Sequence, residues 1–221
     1  MLYRALATDY DGTIATAGRL PAPTRAALLR WREAGRALLL VTGRELNDLT
    51  RVCPELDLFD LVVVENGAVL HRPLTGETEL LCAPVADELL LGLRRAGIPF
   101  GVGRAIFATS RAHADAVSLL AKELGVRVTL SYNKSSVMVL PAGVDKAFGM
   151  KAALSELGLA PEATVGVGDA ENDLAFMAVC GLAVAVANAL PDVRSSAGRT
   201  TAAAEGEGVV ELIDGLLASD R

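Results

Sequence analysis

Both ends of the chain carry continuous apolar runs punctuated by glycine, with no strict alternation of apolar and polar residues. Residues 4–8, "RALLLVT" at 36–42, "FDLVVVE" at 59–65, "ATVGVGD" at 163–169 and "LAVAVA" at 182–187 are each of strand length. Apolar on both faces, they fit parallel strands in a covered sheet. Helical segments separate them: 21–34, opened by Pro21 and followed by Gly35; "LNDLTRVC" at 46–53; 145–157, followed by Gly158; a segment through Cys180; and 209–218. Thr24 and Asp145 read as helix N-caps, and Trp31 falls on the apolar side of the first helix.

The rhythm changes in the middle of the chain. After "ENGAVLHRPLTGE" at 65–77, whose Gly, Pro and Thr read as turns and a hairpin, the pattern predicts a helix at 84–96 and short strands at 98–102 and 106–109. A helix at 112–124, stopped by Gly125, and strands at 126–132 and 137–140 follow. This αββαββ order predicts an open sheet with two helices on one face, inserted into the first architecture. The expected division is a core of residues 1–78 and 144–221 and a cap of residues 79–143.

Composition narrows the class of protein. Of 221 residues, 52% are hydrophobic and only 4% aromatic, so the core is built from small aliphatic layers and disorder is excluded. A net charge of −6 argues against nucleic acid as a partner, because such binding rests on clustered Lys and Arg. The longest apolar runs fall short of a membrane span and no leader is recognisable, so the expected setting is cytoplasmic, without a membrane partner. Cys53, Cys82 and Cys180 lie far apart, with no Cys or His at metal-ligand spacing, and read as buried free thiols.

Ligands of open parallel sheets bind beyond the carboxyl ends of the strands, so the residues that end each run carry the functional information. The first run ends in "TDYDGT", with Asp9, Asp11 and Thr13; the second in "TGR", with Thr42, Gly43 and Arg44; a later one in "GDAEND", with Asp169, Asn172 and Asp173. "GVDK" puts Lys146 at the start of a helix between them. Gathered at one edge, Asp9, Asp11, Asp169 and Asp173 would repel one another, by about 4 kcal/mol per pair at 4 Å and an effective dielectric of about 20. A hard divalent cation resolves that conflict, and the oxygen-only donor set points to Mg²⁺ rather than Zn²⁺. Thr42, Gly43, Lys146 and Asn172 supply a hydroxyl, a close backbone N–H, a positive charge and an amide for a phosphoryl group. With the ion present, Asp9 can attack phosphorus while Asp11 carries a proton to the leaving oxygen. Arg44 has two readings, a phosphate contact or a structural ion pair.

In these residues the sequence resembles the haloacid dehalogenase superfamily of phosphatases. "DYDGT", "TGR", Lys146 and "GDAEND" match its four motifs in order, and "ENGA" at 65–68 and "NALPDV" at 188–193 are similar to its Cof-type branch. The resemblance implies a Rossmann-like α/β core with an α+β cap inserted between the second and third motifs. It implies Asp9 as nucleophile and metal ligand, and Asp11 as general acid/base that binds metal through its backbone carbonyl. Thr42 and Lys146 would bind phosphate, Asp169 would ligate the ion, and Asp173 would complete the metal site. The chain departs from many members in having Ala147 after the lysine.

The branch most similar in size holds archaeal-type phosphoglycolate phosphatases and small sugar-phosphate phosphatases. The implied activity is therefore Mg²⁺-dependent hydrolysis of a small phosphorylated metabolite. A phosphomutase uses the same motifs, and a phospho-acceptor signalling module is the rival from another class. Arg104, Tyr132, Asn133 and Lys134 are the cap residues nominated to select the leaving group, and assembly as a homodimer stays open.

Overall fold

The computed structural model describes residues 3–219. In chain order the elements are β1 (Ala5–Thr8), α1 (Ala22–Glu33), β2 (Ala37–Val41), α2 (Leu46–Val52), β3 (Leu61–Val64), β4 (Val69–Arg72) and β5 (Glu77–Leu80). The middle of the chain supplies α3 (Asp87–Arg95), β6 (Gly101–Val102), β7 (Phe107–Ser110), α4 (Ala114–Glu123), β8 (Val128–Asn133) and β9 (Ser136–Pro141). The last third supplies α5 (Lys146–Glu156), β10 (Thr164–Gly168), α6 (Leu174–Val179), β11 (Leu182–Ala185), α7 (Pro191–Ser196), β12 (Arg199–Thr200) and α8 (Glu205–Ser219).

Two sheets result. The larger has the order β12-β11-β10-β1-β2-β3-β4-β5, parallel from β12 to β3 and antiparallel at β4 and β5. Its central strands β1, β3 and β10 are buried at every position, as continuous apolar runs require. The smaller sheet, β6-β7-β9-β8, is antiparallel throughout. Phe107 and Val139 stand opposite each other and pack with Leu89 and Leu93 of α3 and Val117 and Ala121 of α4. Their neighbours Ala108 and Met138 point to the other face, as the two-residue period demands, and look onto the larger sheet's edge. The architecture is the expected one: a Rossmann-like core carrying an α+β cap.

Local departures have identifiable causes. Strand β5 runs to Leu80 in the core sheet, across the expected boundary at residue 78, because it completes a hairpin with β4. Strand β6 is confined to Gly101–Val102, since Pro99 in the expected 98–102 run has no N–H to give to a ladder. Helix α8 starts at Glu205 rather than 209. Glycines at 206 and 208 weaken the propensity there, and close packing on α1 overrides it: a Cβ on Gly206 would come within 2.1 Å of Thr24 Oγ1. Thr24 is accordingly buried inside α1 and caps nothing, whereas Asp145 does cap α5, accepting from the Phe148 N–H at 2.8 Å. Cys53 is buried and Cys82 and Cys180 are half-buried; all three are free.

One close approach positions the third motif. Residues 65–67 turn with three successive positive φ angles, at Glu65 (50°), Asn66 (55°) and Gly67 (106°). A Cβ on Gly67 would lie 1.8 Å from the carbonyl oxygen of Asp145, and one on Gly149 would lie 2.6 Å from the Gly67 Cα. Backbone therefore packs on backbone where α5 crosses the end of β3. The glycine this demands is at 149, one turn on, so Ala147 fits without disturbing the helix start.

Candidate active site

Every chain segment nominated by its strand-end chemistry arrives at the same edge. Asp9 leaves the end of β1, its N–H held by the Val167 carbonyl of the adjacent β10 at 3.0 Å. Thr42 leaves β2 and Asp169 leaves β10, while α5 delivers Lys146 from above. One carboxylate oxygen each from Asp9, Asp169 and Asp173 lies within 4.8 Å of the other two, and all three residues are buried.

Lys146 is the cation that lets these acids be buried. Fully inaccessible, its ammonium lies 2.5 Å from Asp9 Oδ1 and 2.6 Å from Asp173 Oδ1. Asp173 turns its other oxygen to the backbone N–H groups of Asp169 and Ala170, at 2.9 and 3.0 Å, and so fixes the loop that presents Asp169. Asp169 accepts from the Thr13 hydroxyl and rests against Gly12. That glycine has φ of 79°, and a Cβ there would come within 2.7 Å of the carboxylate.

Asp11 faces elsewhere. Its two oxygens accept from Nε and Nη2 of Arg44 at 2.6 and 2.8 Å, and Arg44 also pairs with Asp48. Of the two readings of Arg44, the ion pair is the one seen. Asp11 therefore contributes no side-chain oxygen to the buried cluster, which leaves only its backbone carbonyl for the metal role that the resemblance implies.

A cavity of about 640 Å³ lies between core and cap, lined by Asp9, Asp11, Thr42, Gly43, Lys134 and Met138 among others; Asn172 is buried beside it, outside the lining. Thr42 Oγ1 accepts the Arg44 N–H at 3.2 Å, which leaves its own proton to donate. Asn172 donates to Asn66 Oδ1 at 3.0 Å, and Asn66 in turn donates to Ser131 Oγ of the cap at 2.6 Å. Of the cap candidates, Asn133 and Lys134 line the cavity. Arg104 lines a separate recess beside Glu65, and the Tyr132 ring lies under the Arg111 guanidinium, 4.6 Å from its centroid.

Sequence reasoning missed two residues. Glu65, wholly buried, accepts three backbone N–H groups from the loop joining β6 to β7, at Arg104, Ala105 and Ile106 (2.8–3.3 Å). Asn66 links the fourth motif to the cap. Both sit in "ENGA", and the signal available was an acid followed by Asn-Gly at a strand end, a composition suited to left-handed backbone.

The sequence pattern of haloacid dehalogenase-like hydrolases matches residues 6–82 and 106–213. The chain belongs to that family. Among its relatives, a phosphoglycolate phosphatase of Methanothermobacter thermautotrophicus is 33% identical over 219 residues, covering 95% of this chain and 97% of that one. A solved Thermoplasma acidophilum protein shares the fold with a TM-score of 0.83 at 17% identity, covering 98% of this chain and 99% of that one. A subclass IIB sugar phosphatase of the same superfamily does so with a TM-score of 0.79 at 18% identity, covering 96% and 98%. The hydrolase is a phosphoric monoester hydrolase by family. Among its described residues no helix is long and apolar enough to cross a membrane.

The donor set of the hydrolase fits a hard divalent cation. Three carboxylates converge without a His or Cys among them, and their mutual repulsion is only partly met by lysine. Asp9 is raised from 3.8 to about 7: burial pushes it up most, Lys146 pulls it partly back, and Asp173 and Asp169 add to the rise. Burial, and then Asp173, also raise Asp169. Burial alone would lower Lys146, but Asp173 and Asp9 more than reverse this and keep it charged.

A raised carboxyl pKa means that the folded state holds a proton the unfolded state has lost. Without metal, the cluster therefore costs stability as pH rises from about 4 to about 7. A divalent ion needs the same groups deprotonated, so the gain in melting temperature on adding Mg²⁺ is expected to be larger at pH 8 than at pH 5. In a chain of this size the gain is about 2–4 °C per kcal/mol. Thermal melts with Mg²⁺ and with EDTA at both pH values check this, and equal gains would contradict it.

Proposed function

We propose that the chain is a Mg²⁺-dependent phosphatase that hydrolyses a small phosphomonoester through an aspartyl-phosphate on Asp9. One observation carries the reading: the Asp9 carboxylate faces the cavity from the end of β1, with Lys146 2.5 Å away and Asp169 and Asp173 within metal-sharing distance. In this reading Asp9, Asp169, Asp173 and the Asp11 carbonyl hold the ion, which when bound supplies positive charge to the phosphoryl oxygens. In the described residues the reading divides the chain into a core of 3–80 and 144–219 and a cap of 81–143, with β5 kept in the core. Hydrolysis of a small metabolite in the cytoplasm is the setting that the reading implies.

The chain's own groups divide the work. Thr42 donates its hydroxyl, Gly43 its N–H and Asn172 its second amide hydrogen to the phosphoryl group, and Lys146 pulls Asp9 toward its ionised form and aims it. An Asp9 oxygen forms a bond to phosphorus as the bond from phosphorus to the leaving oxygen breaks, and Asp11 transfers a proton to that oxygen. In the second step Asp11 takes a proton from water, the water oxygen bonds to phosphorus, and the bond to Asp9 breaks. Free phosphate and ionised Asp9 result. Arg44 keeps the Asp11 carboxylate out of the metal cluster. Its second partner, Asp48, lets it yield a contact when Asp11 carries the proton.

The relatives, among them a phosphoglycolate phosphatase, support a small phosphorylated metabolite as the substrate. The experiment is phosphate release from a panel of phosphorylated metabolites with and without Mg²⁺. The reading expects multiple turnovers only with the ion, and isomerised sugar phosphate without free phosphate would indicate a mutase instead. A further expected result concerns Asp11→Asn: it slows hydrolysis of an alkyl phosphate by about 10²–10⁴-fold and of 4-nitrophenyl phosphate far less. Steady-state rates on the two esters measure this, and an equal loss on both would contradict the acid role.

A further inference from the structure

The turn between β8 and β9 puts Lys134 at the junction of cap and core, with φ of 53°. The turn is docked without help from the lysine side chain. Its backbone N–H reaches Glu171 Oε2 at 3.3 Å, its carbonyl accepts from Arg111 at 3.1 Å, and Arg111 pairs with Glu171 at 3.0 Å. The ammonium is thus free to change partners while the turn stays in place. It lies 3.1 Å from Asp169 Oδ2, and the side chain is 55% exposed.

Two features of that contact point to exchange. Three buried carboxylates face two ammonium groups, Lys146 and Lys134, so with all three ionised one negative charge is unmet. Replacing Lys134 by a divalent ion removes it. Of the other basic groups lining the cavity, Arg44 is committed to Asp11 and Asp48, while Arg51 stands 3.5 Å from Asp48 with its side chain turned mostly to solvent. Lys134 alone of these three touches the buried carboxylates, so a displaced Lys134 is the cation nearest the reacting phosphoryl group, and its position beside Asp169 limits its reach to an anion a few bonds from phosphorus.

We propose that Lys134 is a stand-in cation: it holds Asp169 until a divalent ion takes its place, and the released ammonium then binds a carboxylate on the leaving group of a short phosphorylated acid. The carboxylate half rests on the phosphatase reading above; the stand-in half does not.

The experiment uses the full chain and the variants Lys134→Met and Lys134→Arg. Calorimetric titration with Mg²⁺ alone is expected to show several-fold tighter binding in Lys134→Met than in wild type. The kcat/KM ratio of phosphoglycolate to its neutral analogue 2-hydroxyethyl phosphate is expected to fall by about tenfold or more in Lys134→Met, the worth of one charge-assisted hydrogen bond, and to be largely kept in Lys134→Arg. A lysine that merely braced the cap would lower both substrates together and leave Mg²⁺ affinity unchanged or weaker. Either measurement unmoved in Lys134→Met overturns the proposal. If no ester is hydrolysed by the wild type, the phosphatase reading and the carboxylate half fall together, while the calorimetry still decides the stand-in.

Discussion

Asp9→Asn is expected to lower kcat by about 10³-fold or more while the protein stays folded, because the amide has the shape of the carboxylate and none of its nucleophilicity. The accompanying stability change distinguishes this from simple damage. In the metal-free protein Asp9 is a buried acid among acids, held up by burial against the pull of Lys146, so neutralising it relieves repulsion with Asp169 and Asp173. The variant should therefore melt at or above the wild-type temperature in EDTA at pH 8, and gain less from Mg²⁺. Phosphate-release assays and melts on the same preparation measure both. Retention of more than about a hundredth of the wild-type rate would count against covalent catalysis by Asp9.

The second large effect is expected at Lys146. Its ammonium is fully buried between Asp9 and Asp173, so Lys146→Met keeps the bulk of the side chain and leaves two carboxylates without their cation. Breaking a buried pair from one side costs about 3–5 kcal/mol, well above the worth of an exposed salt bridge. The loss should be largest in EDTA, partly restored by Mg²⁺, and smaller in the double variant with Asp9→Asn, which removes one of the stranded charges. Turnover should fall by about 10²-fold or more, since the charge that orients the nucleophile is gone. Denaturant unfolding of the single and double variants tests this. A metal-free Lys146→Met as stable as wild type would show that the lysine does not neutralise the cluster.

Much of this site could be read from the chain because a covered parallel sheet leaves few choices. The runs ending at Asp9, Thr42 and Asp169 are apolar on both faces, so they lie side by side, and the polar residues that stop them fall on one edge. Ladder register then decides distance: Thr8 pairs with Val167 on one side and Leu40 on the other, which brings all three loops together. What could not be read depends on contacts made across the fold or on backbone of unusual hand. The Arg44 guanidinium could as well have met a phosphate, and its commitment to Asp11 and Asp48 requires the two loops in place. Glu65 reads as the polar end of a strand, but its φ of 50° turns the carboxylate back to hold the β6–β7 loop. The contact between Lys134 and Asp169 depends on how the cap sits on the core, which hydrophobic patterning within each part leaves undetermined.

The central claim is that Asp9 accepts the phosphoryl group beside an ion held by Asp169. A crystal structure of the protein with Mg²⁺ and beryllofluoride tests it most directly, since that complex takes the place of a phosphoryl group on a carboxylate. The account predicts beryllium bonded to an Asp9 oxygen, fluorides received by the Thr42 hydroxyl and the Gly43 N–H, and Mg²⁺ ligated by Asp9 and Asp169. Beryllofluoride on another residue, or Mg²⁺ bound away from these carboxylates, would contradict it.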